Sequence, residues 1–538
     1  MELINGPLSD SYDVVVAGSG AAALTAAAAA RHAGATVAII EKSSWLGGTS
    51  VVSGGMLWIP DNPSMRAQGL NDDLDDAVRY LEAVSRGRTP RHLLEAYVHS
   101  GREMLEFAES VAGLRTAALA AFPDYQHTLP GWRPGGRSIE PELFDLKGLG
   151  DSRKLLRPDP RLPFSMREYE TWKAFTRFPW DELEARRREG WVAKGSALVA
   201  PLLGACERLG VTLVTETGLT GLDRAPGTST GFVVRTDVGR DFVANRGVVI
   251  ATGGFERNPE MLASFIGDRL LATCAPPTNT GDGIRAGQQL GAAVGNMSEA
   301  WWVPMVDVPG DTIDGAQSGT LLRFERNGPG TLMVGRHGRR FVNEAQNYNE
   351  LTRVMHDYDP DVRGPRHLPA YLIFDERHLA QYGFLSHRAG QPTPSWLTRA
   401  DSVEDLADAL GLPSDVLTET VQRYNTFAAR GEDPDFGRGA SDYDRYWGDD
   451  QASHPNLAAL ETPPYYAAQV VPGALGTNGG LVTDEWARVR SAAGDPIPGL
   501  YAAGNTTAHL MGPGYAGAGS TLGPGMTMAY RAAQHLCS

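Results

Sequence analysis

Residues 12–17, Tyr-Asp-Val-Val-Val-Ala, form a nearly unbroken apolar run rich in β-branched side chains and too short for a helix. Such a run predicts a strand buried on both faces. A Gly-rich turn follows, then an alanine-dominated stretch to residue 30 that predicts a helix, and residues 36–40 predict a second strand ending at Glu41. In this order they make one βαβ unit. Gly-rich loop sequence comes next, and the helical and irregular segment to about Gly190 is expected to supply loops over an active site. Residues 196–209 predict a helix leading to a strand at 211–214, residues 232–235 a hairpin arm, and residues 248–251 an apolar strand ending in Thr252, Gly253 and Gly254.

Between residues 275 and 461 the pattern changes: aromatic, Pro and acidic residues increase, and helices are predicted at 403–410 and 414–429. The chain closes with a strand at 499–503, a Gly/Pro-rich loop and a helix from Met526 to about residue 536. The expected fold class is α/β. A Rossmann-like nucleotide-binding domain (residues 1–274 and 462–538) is split by an inserted α+β domain (275–461) that meets the substrate.

Composition adds bounds. With 538 residues, 42% of them apolar, the chain is long enough for two or three domains with sizeable cores. A formal net charge of −15 offers no overall basic surface to nucleic acid or an anionic membrane. Cys206, Cys274 and Cys537 are too few and scattered for a disulfide framework or a zinc site, which points to reduced thiols in a cytoplasmic protein. Residues 1–13 hold Glu2, Asp10 and Asp13 and lack the basic-then-apolar pattern of a secretory leader. The alanine run at 21–30 is far shorter than the roughly 20 apolar residues of a membrane span.

The turn after the first strand, Gly18-Ser-Gly20-Ala21-Ala22-Ala23, fits the G-x-G-x-x-G/A fingerprint. Gly18 permits the tight turn, Gly20 lets a pyrophosphate approach the backbone, and Ala23 allows close helix packing. The phosphates then sit on the amides opening the helix at Ala21 and Ala22, where the helix dipole favours negative charge. Glu41, 21 residues beyond Gly20 and followed by Lys42, stands where an acid binds a ribose hydroxyl. Alone, the fingerprint also suits a plain strand–helix turn; with both strands and the acid it predicts nucleotide binding.

Gly47-Gly48-Thr49-Ser50, with Ser53, Gly54 and Gly55 behind it, resembles the flavin-contacting loop of the succinate dehydrogenase/fumarate reductase flavoprotein superfamily. Ala251-Thr252-Gly253-Gly254 and Ala503-Gly504-Asn505 resemble two further segments of that superfamily. The resemblance implies FAD, held non-covalently because residues 47–50 contain no His tether. Gly523-Pro-Gly525-Met526 opens the last predicted helix, whose free amides would favour negative charge on a reduced flavin.

Within that superfamily, Phe122-Pro-Asp-Tyr125, Arg133-Pro-Gly-Gly-Arg-Ser-Ile-Glu-Pro141, Arg340-Phe-Val-Asn-Glu344 with Tyr348, and Gly514-Tyr-Ala-Gly-Ala-Gly-Ser-Thr521 resemble 3-ketosteroid Δ1-dehydrogenases. The likeness is weaker between about residues 355 and 450. It implies desaturation of the C1–C2 bond of a 3-ketosteroid, with hydride passing to flavin N5 and an unidentified acceptor taking the electrons. It also implies that Tyr515 and the Gly519 N–H hold the C3 oxygen, Tyr348 takes the C2 proton and Tyr125 tunes Tyr348. A free tyrosine has a pKa of about 10, so such a base needs help, and the sequence assigns no cation to it.

Alternatives remain open: 4,5-desaturation of a 5α-3-ketosteroid, desaturation of another cyclic ketone, alkene reduction of the fumarate reductase kind using an arginine such as Arg336 or Arg339, and a flavin-binding carrier without substrate chemistry. Trp132, Trp301 and Trp302 suit either a steroid cleft or the core. His509 reads as a structural histidine, Arg186 to Arg188 as a solvated face, and Cys274 as a packing residue.

Overall fold

The computed structural model describes residues 3–4 and 8–538. The reading of residues 1–13 therefore draws partly on residues 1, 2 and 5–7, which lie outside the described residues. The first strand, Ser11–Ala17, pairs in parallel with Val37–Ile40 on one side and Phe242–Ile250 on the other. Thr212–Val214 and Pro496–Ala502 extend this parallel run outward in the two directions. Such strands have both faces covered, and Val14, Val15 and Val16 have no exposed surface.

Between the first two strands runs the helix Ala21–His32, whose residues Ala26, Ala27 and Ala28 are fully buried. It is packed by the helices Lys194–Leu209 and Leu522–Cys537. Alanine is required here less for helix propensity than for the close approach of three backbones. The thiols of Cys206 and Cys537 point at the carbonyls of Leu24 and Ala30 on this helix.

A second, mainly antiparallel sheet carries Ala300–Ile313, Tyr465–Thr477, Ala370–Asp375 and Thr331–Val334. The helices Val403–Leu410 and Ser414–Ala428 cover one of its faces with Leu406, Leu417, Val421 and Tyr424. Its long strand Tyr465–Thr477 and the short strand Ala272–Thr273 fall on either side of the expected 275–461 insertion. Among the described residues no helix is long and apolar enough to cross a membrane.

Candidate active site

The parallel strands of the first sheet end at a cavity of about 1380 Å³ that extends to the second sheet. Pockets for one small ligand span roughly 300–1,000 Å³, so this one has room for a dinucleotide and a second molecule. Gly18, Gly20, Ala21, Ala22, Glu41, Lys42, Gly48, Thr49, Ser50, Ser53, Gly54, Gly55, Ala251, Thr252, Gly253, Gly504, Asn505 and Gly525 line it. Three segments far apart in sequence thus form one wall.

The glycines fit a dinucleotide. A Cβ on Gly18 would stand 2.3 Å from the Ala251 carbonyl oxygen, so only glycine lets these strand ends meet. On Gly20 and Gly48 the nearest atoms to such a carbon are Ser50 Oγ at 3.3 Å and Gly20 Cα at 3.6 Å, which leaves backbone open to a pyrophosphate. Glu41 Oε2 accepts from Ser19 Oγ at 2.6 Å and Oε1 from the Ser43 N–H at 2.8 Å. These bonds hold the carboxyl at the wall, although burial raises its pKa. Lys42 reaches instead to Asp282 at 2.8 Å.

Two expected contacts move. Gly47 does not line the cavity; its φ of 106° makes the turn, and its N–H donates to Ser19 Oγ at 2.9 Å. Met526 is fully buried in the core because the terminal helix begins at Leu522, which puts Met526 in its second turn. Gly523 and Gly525 already donate to the carbonyls of Gly519 and Thr521, at 2.9 and 3.3 Å. The open end of this helix therefore lies upstream, at Leu522.

Tyr125, Tyr348, Tyr515 and Gly519 line the same cavity. The Tyr125 and Tyr348 hydroxyls are 3.2 Å apart. The Tyr515 ring stacks on Tyr125 at 5.3 Å between centroids and meets Tyr348 and Trp301 edge-on at 5.2 and 5.0 Å. Its hydroxyl meets Thr521 Oγ1 at 3.5 Å and also has the Tyr348 hydroxyl as a hydrogen-bond partner. Gly519 has a φ of 99°, and a Cβ there would stand 2.3 Å from the Leu57 carbonyl carbon. Among the described residues its N–H has no acceptor.

Three devices hold these groups. The Ala516 carbonyl accepts both the Tyr125 N–H at 2.8 Å and the Tyr80 hydroxyl at 2.7 Å, tying the Tyr125 and Tyr515 loops together. Behind them the fully buried Arg137 bonds Asp72 and Asp124, each at 2.8 Å, while Asp124 also accepts from Trp58 Nε1 at 2.7 Å. Burial pushes the Asp124 carboxyl up to about 6 against the pull of Arg137. On the other side, Glu344 is bound by Arg340 at 2.7 Å and Arg438 at 3.2 Å, and Arg340 also binds Asp433. This buried network anchors the chain just before Tyr348, the first residue of a helix capped by Asn347, whose Nδ2 donates to the Tyr125 carbonyl at 3.3 Å.

Burial raises all three phenols, those of Tyr125 and Tyr348 well above the ordinary tyrosine range. Arg323, on the cavity wall, opposes the rise at Tyr125 and Tyr515. Burial pushes the His509 imidazole down to about 4; it packs edge-on against Trp301 at 4.6 Å, in keeping with a structural histidine. Of the three tryptophans only Trp301 lines the cavity. Trp132 donates to the Asp124 carbonyl at 2.9 Å, and Trp302 packs on His356. Arg336 and Arg339 do not line the cavity, and Arg339 pairs with Glu419 at 3.4 Å, which removes the arginines named for alkene reduction.

The FAD binding domain family matches residues 13–522. A 3-oxosteroid 1-dehydrogenase of Mycobacterium tuberculosis is 38% identical over 559 residues, covering 98% of each chain. The chain belongs to the 3-ketosteroid dehydrogenase family. This FAD-dependent oxidoreductase has the fold of the succinate dehydrogenase/fumarate reductase flavoproteins. The structure of 3-ketosteroid Δ1-dehydrogenase from Sterolibacterium denitrificans, solved with 1,4-androstadiene-3,17-dione, matches with a TM-score of 0.91 at 36% identity, covering 98% of this chain and all of that one. The 4-oxocyclohexanecarboxylate 2-dehydrogenase of Sinomonas cyclohexanicum is 50% identical over 542 residues, covering 99% of this chain and 94% of that protein.

In this 3-ketosteroid dehydrogenase family member, sequence reading missed several site residues. Tyr443 stands edge-on to Tyr125 at 4.9 Å, and Phe324, Trp447, Arg323 and Lys194 line the cavity. Asp72 and Asp124 both bind Arg137, and Asp124 also holds Trp58. The signal for that pair was present in the Arg133–Pro141 motif, where a charged side chain recurs beside two glycines.

Proposed function

We propose that this flavoenzyme desaturates a cyclic ketone at the carbon–carbon bond next to the carbonyl. The names of its 3-oxosteroid relatives support a 3-ketosteroid opened at C1–C2; the 50% identity with the 4-oxocyclohexanecarboxylate enzyme favours a monocyclic oxo acid as a second substrate class. One observation carries the reading: Tyr515 Oη, which meets Thr521 and Tyr348, and the Gly519 N–H, without an acceptor among the described residues, open on the cavity that holds the Tyr125–Tyr348 pair.

FAD, when bound, accepts a hydride from the carbon β to the carbonyl. Tyr515 and Gly519 donate to the carbonyl oxygen and stabilise the enolate charge that develops as the α proton leaves. Tyr348 takes that proton. A buried phenolate is costly, and Tyr125, at 3.2 Å, shares the charge through their hydrogen bond. The ketone loses one hydride and one proton and becomes the enone, and an acceptor outside this chain would take the two electrons that FAD, when bound, would carry. The free cysteines support a cytoplasmic setting.

Anaerobic mixing of the holoprotein with 3-ketosteroids and with 4-oxocyclohexanecarboxylate tests this. Flavin bleaching with formation of the α,β-enone is expected, and product analysis separates 1,2- from 4,5-desaturation. If dithionite bleaches the flavin and no ketone does, the reading is wrong.

A further inference from the structure

Among the described residues two cations on the cavity wall, Arg323 and Lys194, have neither a side-chain hydrogen bond nor a salt bridge, although Glu325 attracts the first and Asp159 and Glu140 the second through space. Arg323 follows the strand Ala316–Leu321, and among the described residues its guanidinium makes no hydrogen bond or ion pair. One of its terminal nitrogens lies 4.0 Å from where a Cβ on Gly54 would stand. Its charge acts on the phenols of Tyr125, Tyr443 and Tyr515, and also on Tyr169, Cys274 and Glu325. Glu325, two residues on, lines the same cavity; its Oε2 accepts the Arg323 N–H at 3.1 Å, and the guanidinium opposes the rise that burial gives its carboxyl.

Lys194 is the second. Its ammonium stands 3.5 Å from the centre of the Phe164 ring and forms no ion pair among the described residues. Burial, with Arg161 and Arg323 nearby, pushes its pKa well below the lysine range. Its φ is 56°, a conformation that disfavours any residue with a Cβ. The remaining cations of the cavity are engaged. Arg161 binds Asp159 and the carbonyls of Val51 and Ser53, Lys42 binds Asp282, and Arg388 binds the carbonyls of Leu385 and His387.

Neighbouring unpaired cations facing a ligand cavity repel each other and lose hydration, a cost that a bound anion offsets. A guanidinium matches a carboxylate with two parallel N–H···O bonds. We propose that Arg323, assisted by Lys194, forms a subsite for a carboxylate on the ring of the substrate, so that this enzyme acts on a cyclic oxo acid in preference to a neutral steroid. The proposal rests on the ketone-desaturation reading for the position of the ring and adds the group that selects it.

The test compares the holoenzyme with Arg323→Met, Arg323→Lys and Lys194→Met. Turnover of 4-oxocyclohexanecarboxylate is set against its methyl ester, and binding of benzoate against benzamide is followed by perturbation of flavin absorbance. A charge-assisted pair is worth roughly 10- to 100-fold, so wild type prefers the acid by at least that factor. Arg323→Met collapses the preference through KM and abolishes the benzoate-over-benzamide difference, Arg323→Lys keeps part of both, and Lys194→Met loses less than Arg323→Met. Equal turnover of acid and ester by wild type overturns the subsite while leaving desaturation intact. If no ketone is oxidised, Arg323-dependent benzoate binding upholds the subsite and benzoate binding no tighter than benzamide sinks it. Loss of FAD content in both Arg323 variants assigns the arginine to the cofactor and also overturns the proposal.

Discussion

Replacing Tyr515 by Phe removes one oxygen and leaves the ring. The ring's packing against Tyr125, Tyr348 and Trp301, at 5.3, 5.2 and 5.0 Å, is kept, and what is lost within the protein is the hydroxyl's long contact with Thr521 and its hydrogen bond with Tyr348. The cost to stability is therefore about 1 kcal/mol. Catalysis loses one of two donors to the developing enolate, which amounts to roughly 10²- to 10³-fold, or about 3–4 kcal/mol of barrier. The disparity between the two effects is the informative quantity. Stopped-flow bleaching of the bound flavin under anaerobic conditions measures the reductive half-reaction without the downstream acceptor, and thermal melting with FAD quantitation controls for the fold. A rate within tenfold of wild type, with full FAD content, would refute the assignment of Tyr515 as an oxyanion donor.

Tyr348→Phe is expected to abolish exchange of the ketone's α proton with deuterated solvent, measured by mass spectrometry; continued exchange would move the base elsewhere. A base must lose its proton to act, and the Tyr348 phenol lies well above the ordinary range, so the bleaching rate should climb with pH and reach no plateau below about pH 10. A plateau near neutrality contradicts this. Gly519→Ala drives a Cβ into the Leu57 backbone from a φ of 99°, costing at least about 1 kcal/mol by melting and lowering turnover more than Tyr515→Phe does. Arg137→Met leaves Asp124 buried without its cation and Asp72 with only Arg133, 3.5 Å away, a loss of roughly 3–5 kcal/mol readable by denaturant unfolding. Cys206, fully buried and with its thiol pushed up to about 12, should resist alkylation until the protein unfolds.

The βαβ unit was legible because its signals are local: a doubly buried strand, a helix of small residues and an acid at the next strand end. The start of the terminal helix was read late since Gly523 and Pro524 look like interruptions, yet proline without its N–H is tolerated in a first helical turn. The strand Tyr465–Thr477 escaped notice because Pro472, Gly473 and Gly476 break its alternation. Pro472 faces Pro304 in the neighbouring strand, a pairing that no local rule anticipates. The motifs named three tyrosines and a glycine that line the cavity. Tyr443 and Arg323 were not, because what makes them part of the site is long-range packing across the cavity.

The helix Leu522–Cys537 lies against Ala21–His32, so the end of the chain closes what its beginning opened. During synthesis the fingerprint at Gly18 emerges first, while the strand Pro496–Ala502, the Tyr515 loop and this helix emerge last. Until the terminal helix is made, Lys194–Leu209 alone can cover the alanine helix. Cofactor retention and ketone activation should consequently mature in one late step, and a nonsense codon after residue 500 should abolish both together, yielding no partly active flavoprotein.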